Sequence, residues 1–442
     1  MGAALEPVRN MAVPMTGVRL TPRWSATASI GRTTWKHRYA LAVALAALLA
    51  SPRLVSSAPG QDAASIRQLT DDVNSSEAGV RRKALKGLSA MGAEALEPLS
   101  LLVADPMRDI RGDAITAVAA IYVQPPPKKR VGSAEDAFEW GPYRVSPWAL
   151  PPALVPNLVR ALSDDWPSIR RDAVYTLGVV LTPPVDRPLG DELIYSLSDR
   201  EGAVRLAAAK ALGRLRVAWA GDPLIGRIVD PELSVRLASM RALGELREAR
   251  ALAALRDQMD FYGRGSAGRA ALDALARIAH PSSASLFAQE RISNEEANRR
   301  YGYEGLARLG GVPEGDAMTV EKLLTEERNP EVNGAMRFAL TSAGRPYLDR
   351  IVQALANDET ADQALDYLRE LGREQPDVLL PHLQDPIPAV RERVAMVVGF
   401  VGGASAEPAL TTLTRDGDPS VRRAAEVALM RMRVLSSRAA RP

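Results

Sequence analysis

The sequence predicts an all-α fold, a right-handed α-solenoid (superhelix) of about ten to eleven helical hairpins stacked in a row. Three observations predict it. A short motif recurs about every 31 residues. Within each copy the apolar positions follow helical spacing. The chain is 46% apolar but only 5% aromatic, so its core is built mainly of Ala, Leu and Val. Ala and Leu lose little on entering a helix, whereas strand-rich proteins carry more aromatic and β-branched residues.

The clearest copies are VRLAAAKALG at Val204–Gly213 and VRLASMRALG at Val235–Gly244. Related copies begin at Val80, Ile110, Ile169, Val390 and Val421, and weaker ones lie around Arg269, Arg300, Asn333 and Asp362. Taking the first arginine of each copy, or the residue in its place, as a column gives positions 81, 111, 170, 205, 236, 269, 300, 333, 362, 391 and 422. One step is close to double the others. A period of this size suits two helices of about twelve residues with short turns.

In the Val204 copy, Val204, Ala208, Ala211, Leu212 and Leu215 share one helical face. Four residues after the lead position stand Ala84, Ala114, Ala173, Ala208, Ser239 and Ala425, small enough for neighbouring helices to approach. Gly178, Gly213, Gly244 and Gly399 close the motif, where a helix end or a tight contact is expected. An aspartate stands five residues before the lead position: Asp105, Asp164, Asp199, Asp230, Asp385 and Asp416. Proline often follows it, a helix-start signal. The first helix of each pair precedes it, as in Pro156–Asp164 and Asp191–Asp199.

These D-x-x-x-x-V-R-x-x-A-x-x-A-L-G units resemble HEAT repeats, particularly the bacterial HEAT-like kind named from phycobilisome lyases, over roughly residues 65–435. The resemblance implies that the second helices, starting near Val80, Ile110, Ile169, Val204, Val235, Val390 and Val421, line a concave inner surface. It also implies a ladder between repeats made by Asp105, Arg111, Asp164, Arg170, Asp199, Arg205, Asp230, Arg236, Asp385, Arg391, Asp416 and Arg422. Asn333 and Asp362 interrupt its arginine column. Stacked repeats reuse the same contacts, so the recurring arginines are expected to be structural rather than ligand-binding. The resemblance specifies a fold and leaves function open.

Residues 1–60 read as a leader. Arg32, Lys36, His37 and Arg38 precede the apolar stretch Tyr39–Ala50, and small residues follow at Ser56, Ser57, Ala58 and Gly60. That is the form of a secretory signal, too short to span a bilayer, which takes about twenty residues. The expectation is cleavage after Gly60 and export to the periplasm or medium. An uncleaved anchor is the alternative, and the membrane contact would then be confined to this leader. Met11 or Met15 could serve as the start instead of Met1. The leader carries seven basic residues against Glu6 alone, a balance of +6. The whole chain is +3, which leaves −3 for residues 61–442. That near-neutral remainder argues against nucleic acid as a partner, because phosphate-backbone binding needs a basic footprint. The chain has no cysteine, which excludes disulfides, thiolate nucleophiles and Cys-ligated metals.

The double step contains residues 124–152, QPPPKKRVGSAEDAFEWGPYRVSPWALPP. Its prolines exclude a regular helical hairpin, and loops of this length in compact arrays are uncommon. Its aromatics imply order, packed on the chain's own repeats or on a partner. Phe138, Trp140, Tyr143, Trp148 and the nearby Trp166 are the candidate partner-binding residues, since such side chains dominate interface energetics. A smaller irregular stretch, Asp260–Gly268, is expected to be an inter-repeat loop. Tyr301 and Tyr303 are expected in the core. The domain reading is therefore leader 1–60, N-terminal repeats 61–123, insertion 124–152, main array 153–435 and tail 436–442.

No HExxH, GxSxG, P-loop or Rossmann fingerprint is present. His280 and His382 lie about three repeats apart, too far to share a metal. No catalytic residue, cofactor or metal is expected. The sequence therefore predicts a non-catalytic scaffold or adaptor that binds a protein or peptide partner. The alternatives are a lyase-like or chaperone-like accessory factor acting on a client, and nucleic-acid binding of the kind found in HEAT-like DNA-repair glycosylases.

Overall fold

The computed structural model describes residues 61–123, 131–263 and 265–439. The leader, Pro125–Pro127, Lys128–Arg130 and the last three residues lie outside the described residues. Helices follow one another in pairs throughout. Among the described residues the one β feature is an isolated bridge between Val123 and Val145.

The second helices run Ala78–Leu88, Arg108–Tyr122, Pro167–Val180, Gly202–Arg214, Leu233–Leu246, Ser266–Ile278, Glu296–Arg308, Pro330–Ser342, Asp358–Glu374, Pro388–Val401 and Pro419–Ala439. Each packs on the next. That continuous row, backed by the shorter first helices, is an α-solenoid.

Alanine and glycine set the spacing. Ala207, Ala208, Ala209 and Ala211 are all fully buried. At Gly213, Gly244 and Gly399 the glycine that closes the motif is a site of backbone approach. A Cβ on Gly213 would lie 2.9 Å from Cα of Ala242, and one on Gly399 would lie 2.8 Å from Cα of Ala428. Those distances leave no room for a side chain, so the helix of the following repeat can pack directly against the glycine.

Polar rungs tie the turns together. Asp199 accepts the Glu201 amide at 2.9 Å, and Asp230 accepts the Glu232 amide at 3.0 Å. Each aspartate thereby orders the turn before its second helix. Arginine then links neighbouring repeats. Arg170 donates Nη1 to the Asp164 carbonyl in its own repeat, while Nε and Nη2 reach Asp199 in the next at 2.7 and 2.8 Å. Arg205 repeats the arrangement with the Asp199 carbonyl and the Asp230 carboxylate. So does Arg391, with the Asp385 carbonyl and Asp416. Arg81 pairs with Asp105, and Arg111 with Asp164 at 2.8 Å. Arg236 and Arg422 bond the carbonyls of Asp230 and Asp416 within their own repeats. Burial opposes ionisation of Asp199 and Asp230, but hydrogen bonds from Arg170 and Arg205 outweigh it and hold both below the usual carboxylate range.

Three expectations are corrected. The column placed at Arg300 belongs one residue earlier. Arg299 bonds the Ser293 and Asn294 carbonyls and reaches Glu327 at 3.0 Å, the pattern of Arg205 with glutamate in place of aspartate. Counting back from the helix-ending turns, the equivalent of Arg205 in the preceding repeat is Gly268, not Arg269. The stretch Asp260–Gly268 is also mostly helical. One helix runs to Tyr262 and the next starts at Ser266, with Gly263 at φ 51° ending the first.

Candidate functional site

The insertion lies on the second-helix side of the array and builds a cavity there. Ser133 starts it by accepting the Asp136 amide at 3.0 Å, which caps the helix Ala134–Glu139. Gly141, at φ 71°, turns the chain into Pro142–Arg144. The Ser146 amide then bonds the Tyr122 carbonyl at 2.8 Å.

Phe138 fits where Gly178 has no side chain. A Cβ there would come within 2.6 Å of its ring. The ring also meets Tyr175 at 5.3 Å and lies under the Arg214 guanidinium at 4.6 Å. Arg214 donates to the Phe138 carbonyl at 2.7 Å. Tyr143 reaches much further along the chain. Its hydroxyl donates to the Leu365 carbonyl and to Asp366 at 3.2 and 3.0 Å, and its ring meets Phe400 edge-on at 5.3 Å. Arg431, from the last described helix, donates Nη2 to the Val145 carbonyl at 2.6 Å and stacks over Phe400 at 4.0 Å. The insertion thus joins helices more than 200 residues apart in sequence.

Phe138 and Tyr143 are each only 8% exposed, and the chain's own helices cover them. Trp140 and Trp148 are half-buried. Trp166 alone of the five candidates is well exposed, at 47%, with the Arg108 guanidinium 4.1 Å from its ring.

Between the insertion and the ends of the second helices lies a cavity of about 470 Å³. Its apolar wall includes Phe138, Val179, Val180, Phe400 and Val401. Ten basic side chains line it against four acidic ones. Several arginines are committed to carboxylates. Arg308 grips Glu370 with Nε and Nη2 at 2.9–3.0 Å, Arg277 bonds Asp273 at 2.9 Å, and Arg241 bonds Glu245 at 3.2 Å. Lys210 pairs with Glu139 at 2.7 Å.

Five others, Arg214, Arg216, Arg369, Arg373 and Arg431, have no bonded carboxylate among the described residues. Arg214 and Arg431 spend donors on carbonyls of the insertion. Burial pushes both guanidiniums down to about 10. Arg216, whose side chain still keeps exposed surface, falls to about 10, first through partial burial and then through the like charges of Arg373 and Arg369. Arg373 is lowered by burial and by Arg369. Arginine otherwise stays charged in proteins; burial is the first cause in these four, and neighbouring positive charge adds to it chiefly at Arg216 and Arg373.

Local backbone geometry places two of the lining arginines. In five successive repeats the second helix ends in a tight turn, as with Val217 N to Leu212 O at 3.1 Å and Arg216 N to Gly213 O at 3.0 Å. The residue in the left-handed position of that turn is Arg216 at φ 50°, Arg247 at φ 53°, Ala279 at φ 50°, Gly310 at φ 105° and Gly344 at φ 81° in successive repeats. Glycine is the ordinary choice there, and other residues pay about 1–2 kcal/mol.

Sequence reasoning missed this cluster, though a signal existed. Ten residues after the lead position stand Arg214, Glu245, Phe400 and Arg431, and twelve after it stand Arg216 and Arg247. Arg373 also stands twelve after Ala361, the residue before Asp362 of the arginine column. Among the described residues no group of three or more His, Asp or Glu could hold a metal ion, and no helix is long and apolar enough to cross a membrane.

The family model for HEAT repeats matches residues 190–261 and 376–441, and the chain carries HEAT repeats there. No curated protein matches. Among solved structures, an engineered protein from a structural genomics consortium shares 16% identity, with 84% of this chain and 99% of that one covered and a TM-score of 0.40. Importin beta shares 14% identity over 85% of this chain and 58% of its own, with a TM-score of 0.39. Kap121p, solved bound to Ste12p, shares 16% over 85% and 45%, with a TM-score of 0.37. The chain thus spans a little over half of importin beta and less than half of Kap121p.

Proposed function

We propose that the protein is an extracytoplasmic scaffold that binds a protein partner along the exposed edge of its repeats. One observation carries the reading. Val229, Phe261 and Ile292 occupy the same register position in three successive repeats, and they are 68%, 79% and 69% exposed. Single exposed apolar residues are ordinary on protein surfaces, but in-register repetition makes a contiguous apolar ridge. An extended apolar segment of a partner fits such a ridge. A solenoid suits this role because its length presents many equivalent positions.

The test places a photo-crosslinking residue at Phe261 in the full chain, in its native host. The reading expects one defined protein adduct, lost when Ile292 is changed to Asp. No adduct, or an adduct indifferent to Ile292→Asp, would contradict it.

The extracytoplasmic part of the reading rests on the charged and apolar leader, Arg32–Ala50. Cell fractionation with N-terminal sequencing tests it. A mature terminus near Gln61 in the envelope or medium supports export, and a cytoplasmic chain retaining residues 1–60 opposes it.

A further inference from the structure

We propose that the cavity beneath the insertion binds a compact phosphate-bearing polyanion, gripped by Arg216 and Arg373 with Arg247 beside them. Three independent features of the molecule point there.

The first is convergence. The three arginines come from helices that end near residues 214, 246 and 374, yet all line one cavity. The arginines that join repeats elsewhere, such as Arg170 and Arg205, end on carboxylates. Arg216 and Arg373 have no such partner among the described residues, and both are exposed to the cavity. Arg247 has only a 3.6 Å approach to Glu370, which is already held from the other side by Arg308. The acidic residues of the wall are engaged as well: Glu245 with Arg241, and Asp366 with Tyr143.

The second is backbone. Arg216 and Arg247 hold left-handed positions that two later repeats give to Gly310 and Gly344. A long charged side chain kept where glycine fits better points to a use for that side chain. The third is an orphan donor. Arg431 is 5% exposed, lines the same cavity, and its Nη1 is buried with no hydrogen-bond partner among the described residues. Buried donors are normally satisfied.

The ligand class follows from the chemistry. Guanidinium forks match phosphate oxygens in pairs. Several uncompensated positive charges call for more than one negative charge. A volume of about 470 Å³ lies within the ordinary small-molecule range. The phosphate could belong to a free solute or to a lipid headgroup.

Titration calorimetry of the full chain with inorganic pyrophosphate is the test, run beside flotation with vesicles containing phosphatidic acid. Saturable binding of pyrophosphate without flotation assigns a soluble ligand. Binding with flotation assigns a headgroup. Arg216→Gly should weaken pyrophosphate binding about tenfold or more, while its ligand-free melting temperature stays at or above that of the native chain. Arg373→Gln should weaken binding similarly, and Arg187→Gln, at an exposed arginine outside the cavity, should leave it unchanged. Absence of pyrophosphate binding, or affinity unaltered in both Arg216→Gly and Arg373→Gln, would overturn the proposal.

Discussion

Arg205 donates Nε and Nη2 to the two carboxylate oxygens of Asp230, both at 2.8 Å, and joins one repeat to the next. The Asp230 side chain is fully buried. Its carboxylate also bonds the amide of Glu232, so one residue orders a turn and an interface together. Removing one partner of a buried pair strands the other charge, at a cost of about 3–5 kcal/mol. Asp230→Ala should therefore lower unfolding stability by that order in chemical denaturation. The double change Arg205→Met with Asp230→Leu should recover part of the loss, because the buried Arg205 charge is then no longer stranded and only the partly exposed Arg227 loses its 3.5 Å approach.

Acid should unfold the array through the same residues. Asp199, Asp230 and Asp416 are held below the usual carboxylate range in the fold. A depressed carboxylate contributes stability above its unfolded value of about 3.9, and that contribution is lost as pH falls through the folded value. Denaturation midpoints should be nearly level from about pH 7 to pH 5 and fall below about pH 4. Asp230→Asn should show a shallower fall, since one of the titrating groups is gone.

Helix spacing should respond to a single added side chain. Val in place of Gly399 would press on Cα of Ala428, a backbone atom that cannot swing aside as a flexible side chain would. Overpacking of this kind costs about 1–3 kcal/mol. Gly399→Val should lower the thermal midpoint, and the same change at Gly315, where nothing lies within 4 Å, should cost less through sterics.

The left-handed arginine makes the opposite prediction. Arg216→Gly relieves a backbone penalty of about 1 kcal/mol and removes one of several mutually repelling charges. The thermal midpoint should rise slightly or hold, as read by calorimetry. Ala279→Gly, at the equivalent turn position, should rise in the same way and act as a control without a charge change.

The parts that were legible in the sequence are those that repeat in fixed register. At Asp199, Arg205 and Arg391 and their counterparts one contact is made within the repeat and one to a neighbour, so the same residue types recur about every 31 positions. Where the pattern weakens, legibility falls. Arg299 and Arg300 are both arginine, and only backbone geometry decides that Arg299 faces Glu327. The basic cavity was hidden for a different reason. Its arginines stand at two positions of the motif in scattered repeats, and the net charge of −3 over residues 61–442 averages them away. The contacts of Tyr143 with Leu365 and Asp366 join segments 222 and 223 residues apart, and no local pattern encodes such a pairing. The aromatic residues of the insertion were visible as unusual. Whether they faced a partner or the chain itself depended on Gly178 and Phe400, which only the folded chain brings to them.

The central claim is that the insertion joins early and late repeats over a shared cavity, and the Tyr143 hydroxyl with Asp366 is its most exposed test. A double-mutant cycle of Tyr143→Phe and Asp366→Ala, read by equilibrium denaturation of the full chain, measures it directly. Residues in contact show interaction energies of about 0.5–3 kcal/mol, and distant ones add within about 0.3–0.5 kcal/mol. Coupling of about 1 kcal/mol is the result the structure predicts. Strict additivity would contradict it and leave the insertion detached from the late repeats.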